Sequence, residues 1–327
     1  MQSLLKFIVS RFKNKKIVVW GDLILDEYVY TSAGRVSREA PVLVTEFEEN
    51  EYLLGGAGNV VMNLLTLGAL PLPVGFIGKD AAGDILRELL VKNRISTDYL
   101  VKIDHFRTPQ KSRILAGGDN TKKQQILRID TLPPGPISER SYRKMVKTLL
   151  LVMRNCDLLI LSDYLGKTVT PEIFKTLKKE FPDKISALDS RNHLLDFSGV
   201  NLATPNEPEL KNIFPQKKFL RDDDFIKAGS ELIDKLAAEG IVLKRGQKGM
   251  LVFSRGQKTN LLDIYGTAQI VDVTGAGDTV LAVLGLGLAA GASLLDAARL
   301  ANIAGGIVVM HEGAYPVGLQ ELLDALS

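Results

Sequence analysis

The sequence predicts an α/β fold: a central, mainly parallel sheet covered on both faces by helices, with a smaller β-sheet standing beside it. Three observations carry this expectation. Short apolar runs of strand length recur at Ile17–Trp20, Leu158–Leu161, Ile185–Leu188, Ile241–Leu243 and Met250–Phe253. Segments of helical period lie between several of them, at Ala82–Lys92, Ser141–Met153, Pro171–Lys179 and Asp223–Ala238. Strands alternating with helices of this length imply right-handed crossovers and therefore parallel pairing. The third observation breaks that rhythm. Tyr28–Ala33 with Val42–Phe47, and Arg107–Leu115 with Gln124–Asp130, read as two β-hairpins with no helix between their strands. They are expected to form a small sheet projecting from a single domain spanning 1–327, its strands at about 28–47 and 107–130.

At the N-terminus, Leu4, Leu5, Phe7, Ile8 and Phe12 alternate with Lys6, Arg11 and Lys13, the pattern of a short amphipathic helix. No charge-free apolar core leads to a small-residue cleavage site, so a signal peptide is not expected. No window reaches the about 20 uncharged apolar residues that a membrane span requires. Val280–Ala292 is apolar but shorter, and its glycines at 285, 287 and 291 suit a buried helix in close packing. Gly117–Gly118–Asp119–Asn120 supplies the turn of the second hairpin, and Pro133–Pro134–Gly135–Pro136 a hinge-like linker.

The 327 residues hold 41 Lys+Arg against 38 Asp+Glu, a formal net charge of +3. That balance gives no general attraction to nucleic acid or to an anionic membrane. With 46% hydrophobic residues the chain buries a substantial core. Cys156 is the only cysteine, so neither an internal disulfide nor a multi-thiolate metal site is available, in keeping with a reducing cytoplasm. His105, His193 and His311 lack the spacing of zinc ligands. There is no Gly-x-Gly-x-x-Gly fingerprint after the first strand and no P-loop, which removes dehydrogenase and Walker-type readings.

The segment richest in chemistry is Asp272–Val273–Thr274–Gly275–Ala276–Gly277–Asp278–Thr279, directly before the apolar helix. The small residues Gly275, Ala276 and Gly277 let backbone N–H groups converge at a helix N-terminus, where unpaired amides and the helix dipole favour an anion. The carboxylate of Asp278 repels a phosphate, so phosphate binding alone does not account for it. Beside an anion hole it suits a general base that takes a proton from an attacking hydroxyl, while the amides stabilise charge on a transferred phosphoryl group. On its own, Gly-Ala-Gly-Asp is equally a plain turn and N-cap.

That octet resembles the C-terminal signature of the ribokinase-like carbohydrate kinases, the PfkB family. The N-terminal signature of the same family is matched by Gly55–Gly56–Ala57–Gly58–Asn59–Val60 with Asn63, Leu67 and Gly68. Two motifs in the right order are far more specific than either alone. The resemblance covers nearly the whole chain and implies a ribokinase-like three-layer sandwich with a small β lid, in agreement with the two hairpins. Within the family, Gly21–Tyr28, Arg35–Val42, Leu161–Tyr164 and Thr204–Glu209 are most similar to the kinases of D-glycero-β-D-manno-heptose 7-phosphate. The implied reaction moves the γ-phosphate of ATP, with Mg²⁺, to the anomeric hydroxyl of that sugar phosphate, giving the 1,7-bisphosphate for ADP-heptose synthesis. Another sugar, sugar phosphate or nucleoside is the alternative, motivated by three departures. Arg38 replaces the usual proline, Gly117–Lys123 is longer, and Ser190–Arg191–Asn192 stands where Pro-Lys-Gly is usual. The nucleotidyltransferase half that some of those kinases carry is not expected here, which leaves adenylylation of the product to a separate protein.

The resemblance makes Asp278 the base and Gly275, Ala276 and Gly277 the anion hole. Asp22 and Asp26 follow the first strand, where carboxylates accept hydrogen bonds from sugar hydroxyls or cap the strand end. Gly55, Gly56 and Asn59 are expected close to the sugar, the glycines by removing bulk and the asparagine by offering donor and acceptor. A phosphorylated sugar needs a cationic anchor away from the γ-phosphate. Lys111, Arg113 and Arg128 lie on the second predicted hairpin, and Arg113 and Arg128 match arginines of the heptose kinases. For the nucleotide, Asn206, Glu207, Pro208 and Glu209 match the family's Asn-x-x-Glu motif, with Glu209 organising the water shell of Mg²⁺. The same residues also suit a helix N-cap. Lys244 and Gly246 fall in the loop expected along ATP, Arg191 adds a cation towards the phosphates, and Asn302 matches a position lining the adenine pocket. Asp272 and Thr274, with the turn near Gly313, resemble the family's monovalent-cation site and imply K⁺. A homodimer through the lid is implied as well, each small sheet covering the other's apolar face.

Overall fold

A computed structural model describes residues 1–118, 122–165, 167–266 and 270–327. Helix α1 (Gln2–Ser10) forms where the amphipathic pattern predicts and buries Leu5, Ile8 and Val9, but Leu4 and Phe7 of that pattern stay exposed. Next come β1 (Lys16–Gly21), β2 (Leu23–Val36), β3 (Leu43–Gly56), α2 (Ala57–Thr66), β4 (Leu70–Gly78), α3 (Ala81–Lys92), β5 (Leu100–Ile103), β6 (Gln110–Gly117) and β7 (Gln124–Thr131). The middle of the chain forms α4 (Glu139–Met153), β8 (Leu158–Asp163), α5 (Pro171–Glu180), β9 (Ser186–Ser190), β10 (Leu202–Ala203), α6 (Glu207–Ile213) and α7 (Asp222–Leu236). It closes with β11 (Gly240–Lys244), β12 (Met250–Ser254), β13 (Asn260–Leu262), α8 (Ala276–Ala289), α9 (Leu294–Val308) and α10 (Leu319–Asp324).

The larger sheet has nine strands in the order β13-β12-β11-β10-β9-β8-β1-β4-β5. All neighbours are parallel except the two pairs formed by β12 with β11 and β13. Side chains alternate across it, as the two-residue period of a strand requires. Ile17 and Val19 join the core beneath α2, α8 and α9, whereas Val18 and Trp20 join the core beneath α4, α5 and α7. The result is the expected three-layer sandwich. Helix α8 packs closely as its glycines predict, since a Cβ on Gly287 would stand 2.9 Å from that of Ala297 on α9. Among the described residues no helix is long and apolar enough to cross a membrane.

Strand β4 escapes a reading by propensity because Pro71 and Pro73 lie inside it. Register explains how they are tolerated. The Leu70 amide donates to Lys15 on the β1 side, so the alternate positions 71 and 73 face away from β1. On that other side β5 begins pairing only at Gly75, and no ladder bond is lost.

The smaller sheet has the order β3-β2-β6-β7, two antiparallel hairpins joined by the parallel pair β2/β6. The first hairpin is longer than expected, reaching from Leu23 to Gly56, so Asp26 and Gly55 are strand residues rather than loop residues. In the register Asp26 lies opposite Lys111, Tyr28 opposite Arg113, and Arg113 opposite Arg128. Those residues share one face; Glu27, Ser112 and Ile129 share the other. Asp119 and Asn120 of the expected turn lie outside the described residues.

Candidate active site

Ligand sites in parallel sheets gather at the carboxyl ends of the strands. Here those ends present Asp22 after β1, Asp163 and Tyr164 at β8, Asp189 in β9, Thr204 after β10 and Lys244 in β11. Helix α8 points its N-terminus at the same edge. Gly275 turns the chain into that helix with φ of 78°, and a Cβ there would come within 2.5 Å of Asn59 Nδ2. The Ala276 amide donates to Val273 O at 3.3 Å and the Thr279 amide to Gly275 O at 3.0 Å. The amides of Gly277 and Asp278 come between them, in the first turn, where a helix has no internal acceptor to offer.

Asp278 is only 4% exposed. Asn59 Nδ2 donates to its Oδ2 at 3.0 Å and the Tyr164 hydroxyl to its Oδ1 at 2.7 Å. Burial pushes its carboxyl up to about 6, against the pull of those two donors; Asp189 adds to the rise and Lys244 opposes it. A carboxylate of this kind is poised to take a proton near neutral pH. Asn59 is itself held by Asn63, whose Nδ2 donates to Asn59 O at 2.9 Å and whose Oδ1 accepts from Thr279 Oγ1 at 3.0 Å and Val317 N at 3.1 Å. The two motif-bearing segments of the sequence thus meet in one buried network.

Asp26 and Asp22 part company. Asp26 faces the cleft, accepts from Arg113 Nη1 at 2.7 Å, and requires the glycine at 55, where a Cβ would lie 2.1 Å from its Oδ2. Asp22, expected beside a sugar, points elsewhere: its Oδ2 accepts from the amides of Tyr164 at 2.9 Å and Leu165 at 2.7 Å. Its burial raises its carboxyl above the ordinary value, and Asp163 contributes in the same sense. The structure corrects that expectation, and makes Asp22 the anchor of the loop that carries Tyr164.

The cations are arranged around the same cleft. Arg113 lies 5.1 Å from the Tyr28 ring centroid, and Arg128 makes two bonds to Asp130 at 2.9 and 3.0 Å. Lys111 Nζ is 5.1 Å and the Arg191 guanidinium 4.5 Å from the Tyr164 ring centroid. Burial lowers the Lys111 ammonium's pKa, with Arg191 and Arg113 adding to the effect against Asp26. Lys244 pairs with Asp189 at 2.8 Å.

Asn206 and Glu209 form the capping box that their spacing allows: the Glu209 amide donates to Asn206 Oδ1 at 2.9 Å and the Asn206 amide to Glu209 Oε2 at 2.8 Å. Burial, reinforced by Asp189, raises the Glu209 carboxyl. Glu207 is taken up by Arg245, a nearly buried guanidinium that also reaches Asp222 at 2.6 Å. Asp272 accepts from the Thr274 amide and hydroxyl at 2.9 and 2.7 Å and from the Gly313 amide at 2.9 Å. Burial works to raise its carboxyl, yet these donors together bring it below the ordinary value.

Two cavities meet here. A polar one of about 350 Å³ is lined by Asp26, Gly56, Asn59, Lys111, Arg113 and Arg128 on one side, and on the other by Arg191, Glu209, Gly275 and Asp278. A larger one of about 550 Å³ is lined by Met250, Ile264, Val280, Val309, Gly246 and Asn302, with Glu207 and Pro208 at its rim. Asn206, Lys244, Val273 and Gly277 belong to both. The sequence reading places Asn63, Asp163 and Tyr164 in family-like blocks but gives no site role to them or to Asp189. Their signal is position: Asp163 and Asp189 each lie at the carboxyl end of a parallel strand, and Tyr164 follows Asp163 directly.

The sequence matches the pfkB family carbohydrate kinase profile over residues 14–321. The bifunctional protein HldE of Desulfatibacillum aliphaticivorans is 36% identical over 326 residues, 98% of this chain, and that of Pelobacter propionicus is 34% identical over 324 residues, again 98%. The chain spans 65% of the length of each of these two relatives. Among solved structures, Arabidopsis thaliana ribokinase complexed with ribose and ATP is similar with a TM-score of 0.72 at 21% identity, covering 96% of this chain and 99% of that one. Escherichia coli phosphofructokinase-2 in complex with substrates and products is similar with a TM-score of 0.76 at 19% identity, covering 96% and 98%. These likenesses establish a ribokinase-like fold. Since the match takes in the central sheet, the projecting sheet and both motif-bearing ends of the buried network, the chain belongs to the pfkB family of carbohydrate kinases.

Proposed function

We propose that this kinase uses ATP to phosphorylate the anomeric hydroxyl of D-glycero-D-manno-heptose 7-phosphate. The observation that carries a phosphorylated substrate is the register of the small sheet, which sets Arg113 directly opposite Arg128 with Lys111 on the same face. Each guanidinium is paired with a carboxylate, Arg113 with Asp26 and Arg128 with Asp130, and a phosphate dianion between the two would give both a further charge-assisted partner. The heptose identity is supported by the sequence blocks that resemble heptose 7-phosphate kinases, several of whose residues, Asp26, Asp163, Tyr164, Asn206 and Glu209, line the polar cavity.

In this reading the sugar lies in the polar cavity with Asp26 and Asn59 on its hydroxyls, and its phosphate between Arg113 and Arg128. The adenine occupies the larger, apolar cavity beside Asn302, and the phosphate chain passes Gly246, Lys244 and Gly277 into the polar one. Asp278 takes the proton of the attacking hydroxyl, while the first-turn amides of α8 hold the transferred group. Among the described residues no cluster of three acidic or imidazole groups could cage a metal. That fits Mg²⁺, which is commonly held through phosphates and water with few protein carboxylates, here Glu209; when bound it neutralises charge between the phosphates. Asp272, kept anionic by Thr274 and the Gly313 amide, fits a monovalent cation such as K⁺.

The departures at Ser190 and Arg191 favour a second acceptor reading. Ser190 Oγ donates to Asp163 Oδ2 at 2.6 Å, and Arg191 covers Tyr164, so the cavity floor is built by residues other than Pro-Lys-Gly. A coupled assay across heptose 7-phosphate, fructose 6-phosphate, ribose and a nucleoside, with and without K⁺, separates the readings. The highest kcat/KM is expected with heptose 7-phosphate; a better rate with any other acceptor, or no turnover with heptose 7-phosphate, overturns the substrate.

We further propose a homodimer through the outer face of the small sheet, where Phe47, Leu127 and Ile129 are exposed. Sedimentation velocity at micromolar concentration is expected to show a dimer that Leu127→Lys dissociates; a wild-type monomer contradicts it.

A further inference from the structure

We propose that Tyr164 is a positioning residue for the base, orienting the Asp278 carboxylate and favouring its ionised form through a donated hydrogen bond. This rests on the reading of Asp278 as the base. The Tyr164 hydroxyl lies 2.7 Å from Asp278 Oδ1, and Asn59 Nδ2 lies 3.0 Å from Oδ2. One donor on each oxygen fixes the carboxylate plane, and since each carboxylate oxygen accepts two bonds, a site on each remains for the hydroxyl proton of the sugar.

The tyrosine is held from three directions. Asp22 takes its backbone amide and that of Leu165, which gives this buried carboxylate its purpose. From the small sheet Lys111 reaches over its ring, and from the end of β9 so does Arg191. Cations over an aromatic ring are attracted to its π face. They also strengthen the phenol as a donor by withdrawing electron density from it. Both cations line the polar cavity, so the ring that aims the base is packed beneath part of that cavity's charged wall. The tyrosine, partly buried in the wall of the polar cavity, holds its own proton far more tightly than usual, from desolvation first and the Asp278 charge next, so it remains a donor throughout the working pH range.

The groups facing Asp278 are Asn59 from α2, Tyr164 after β8, Asp189 from β9 and Lys244 from β11. Burial and Asp189 favour its protonated form; Asn59, Tyr164 and Lys244 favour the carboxylate. Removing the Tyr164 hydroxyl therefore shifts the balance towards protonation, and the acid limb of the rate profile must move to higher pH.

The test is the pH profile of kcat for Tyr164→Phe, with its melting temperature as a check on folding and Asp278→Asn measured beside it. Y164F is expected to stay folded, to lose on the order of tenfold in kcat, and to move its acid limb up by about one pH unit, with the KM for ATP unchanged. A reduced kcat with the acid limb unmoved makes the tyrosine merely structural and overturns the inference, as does a wild-type rate and limb. If D278N instead keeps most of the rate, the base reading itself fails, which the Y164F result cannot imitate.

Discussion

The two cavities at the sheet edge share four lining residues and little else. The larger is walled by Met250, Ile264, Val280 and Val309, side chains that offer burial to a flat apolar ligand. The smaller is walled by carboxylates, guanidiniums and ammoniums, with Lys111, Arg113 and Arg128 from the small sheet and carboxylates from the edge of the large one. The contrast separates two tasks. An apolar wall rewards any ligand that removes its surface from water, so it supplies affinity with little discrimination. A charged wall pays for desolvation unless the right partner arrives, so it discriminates and it shifts proton affinities. Asp278, Tyr164, Lys111 and Glu209, all displaced by burial, lie around the polar cavity. Gly277 and Lys244 line both cavities, and in the proposed function the phosphoryl group crosses there.

The sharpest way to break this division is at the proposed base. Asp278→Asn is expected to lower kcat by roughly 10²–10⁴-fold while leaving the KM for ATP unchanged, since the apolar cavity is untouched. A steady-state assay showing a rate within tenfold of wild type would place the chemistry elsewhere. Next in size is Arg113→Met, expected to raise the KM for the sugar phosphate by about 10–100-fold with the KM for ATP constant, because a charge-assisted bond to phosphate is lost on one side only. Should both KM values rise together, the cavities do not act separately.

A third effect is on stability, and its sign is opposite to that on rate. The folded Asp278 carboxyl lies at about 6, above its ordinary 3.8, so its contribution favours the fold below 3.8 and is lost as pH rises through about 6. Asp278→Asn is therefore expected to be the more stable protein at pH 8, by on the order of 2–3 kcal/mol, with the advantage closing towards pH 4. Thermal melts of both proteins across that range read it directly, and a wild type more stable than the variant at pH 8 contradicts it.

Much of this arrangement is legible in the sequence. The strands β1, β8, β9, β11 and β12 and the helices α3, α4, α5 and α7 follow from apolar period and caps, since Asp80, Ser138 and Thr170 each cap a helix with their own side chains. The three cations of the second hairpin fall on one face because their spacing obeys the strand period. Strand β4 is hidden by its two prolines, whose tolerance depends on where β5 starts. The full length of the first hairpin is hidden as well, because Asp26 and Gly55 look like loop residues until the pairing is known. Asp22 and Asp26 are indistinguishable by type; only the direction of each side chain separates an anchor from a cavity wall.

The sequence by itself determined the layers, the helix that presents amides and Asp278 together, and the pfkB motifs at either end. These depend on neighbours a few positions apart, where propensity, capping and alternation act. Tertiary structure decided that Asp26 rather than Asp22 faces the cleft, how strongly Asp278 holds its proton, and that Tyr164 bonds to Asp278. Those properties come from burial and from hydrogen bonds between residues 219 and 114 positions apart, Asn59 with Asp278 and Tyr164 with Asp278. Packing of the sheet edge against α2 and α8 brings these groups within bonding distance, and no local pattern encodes that meeting.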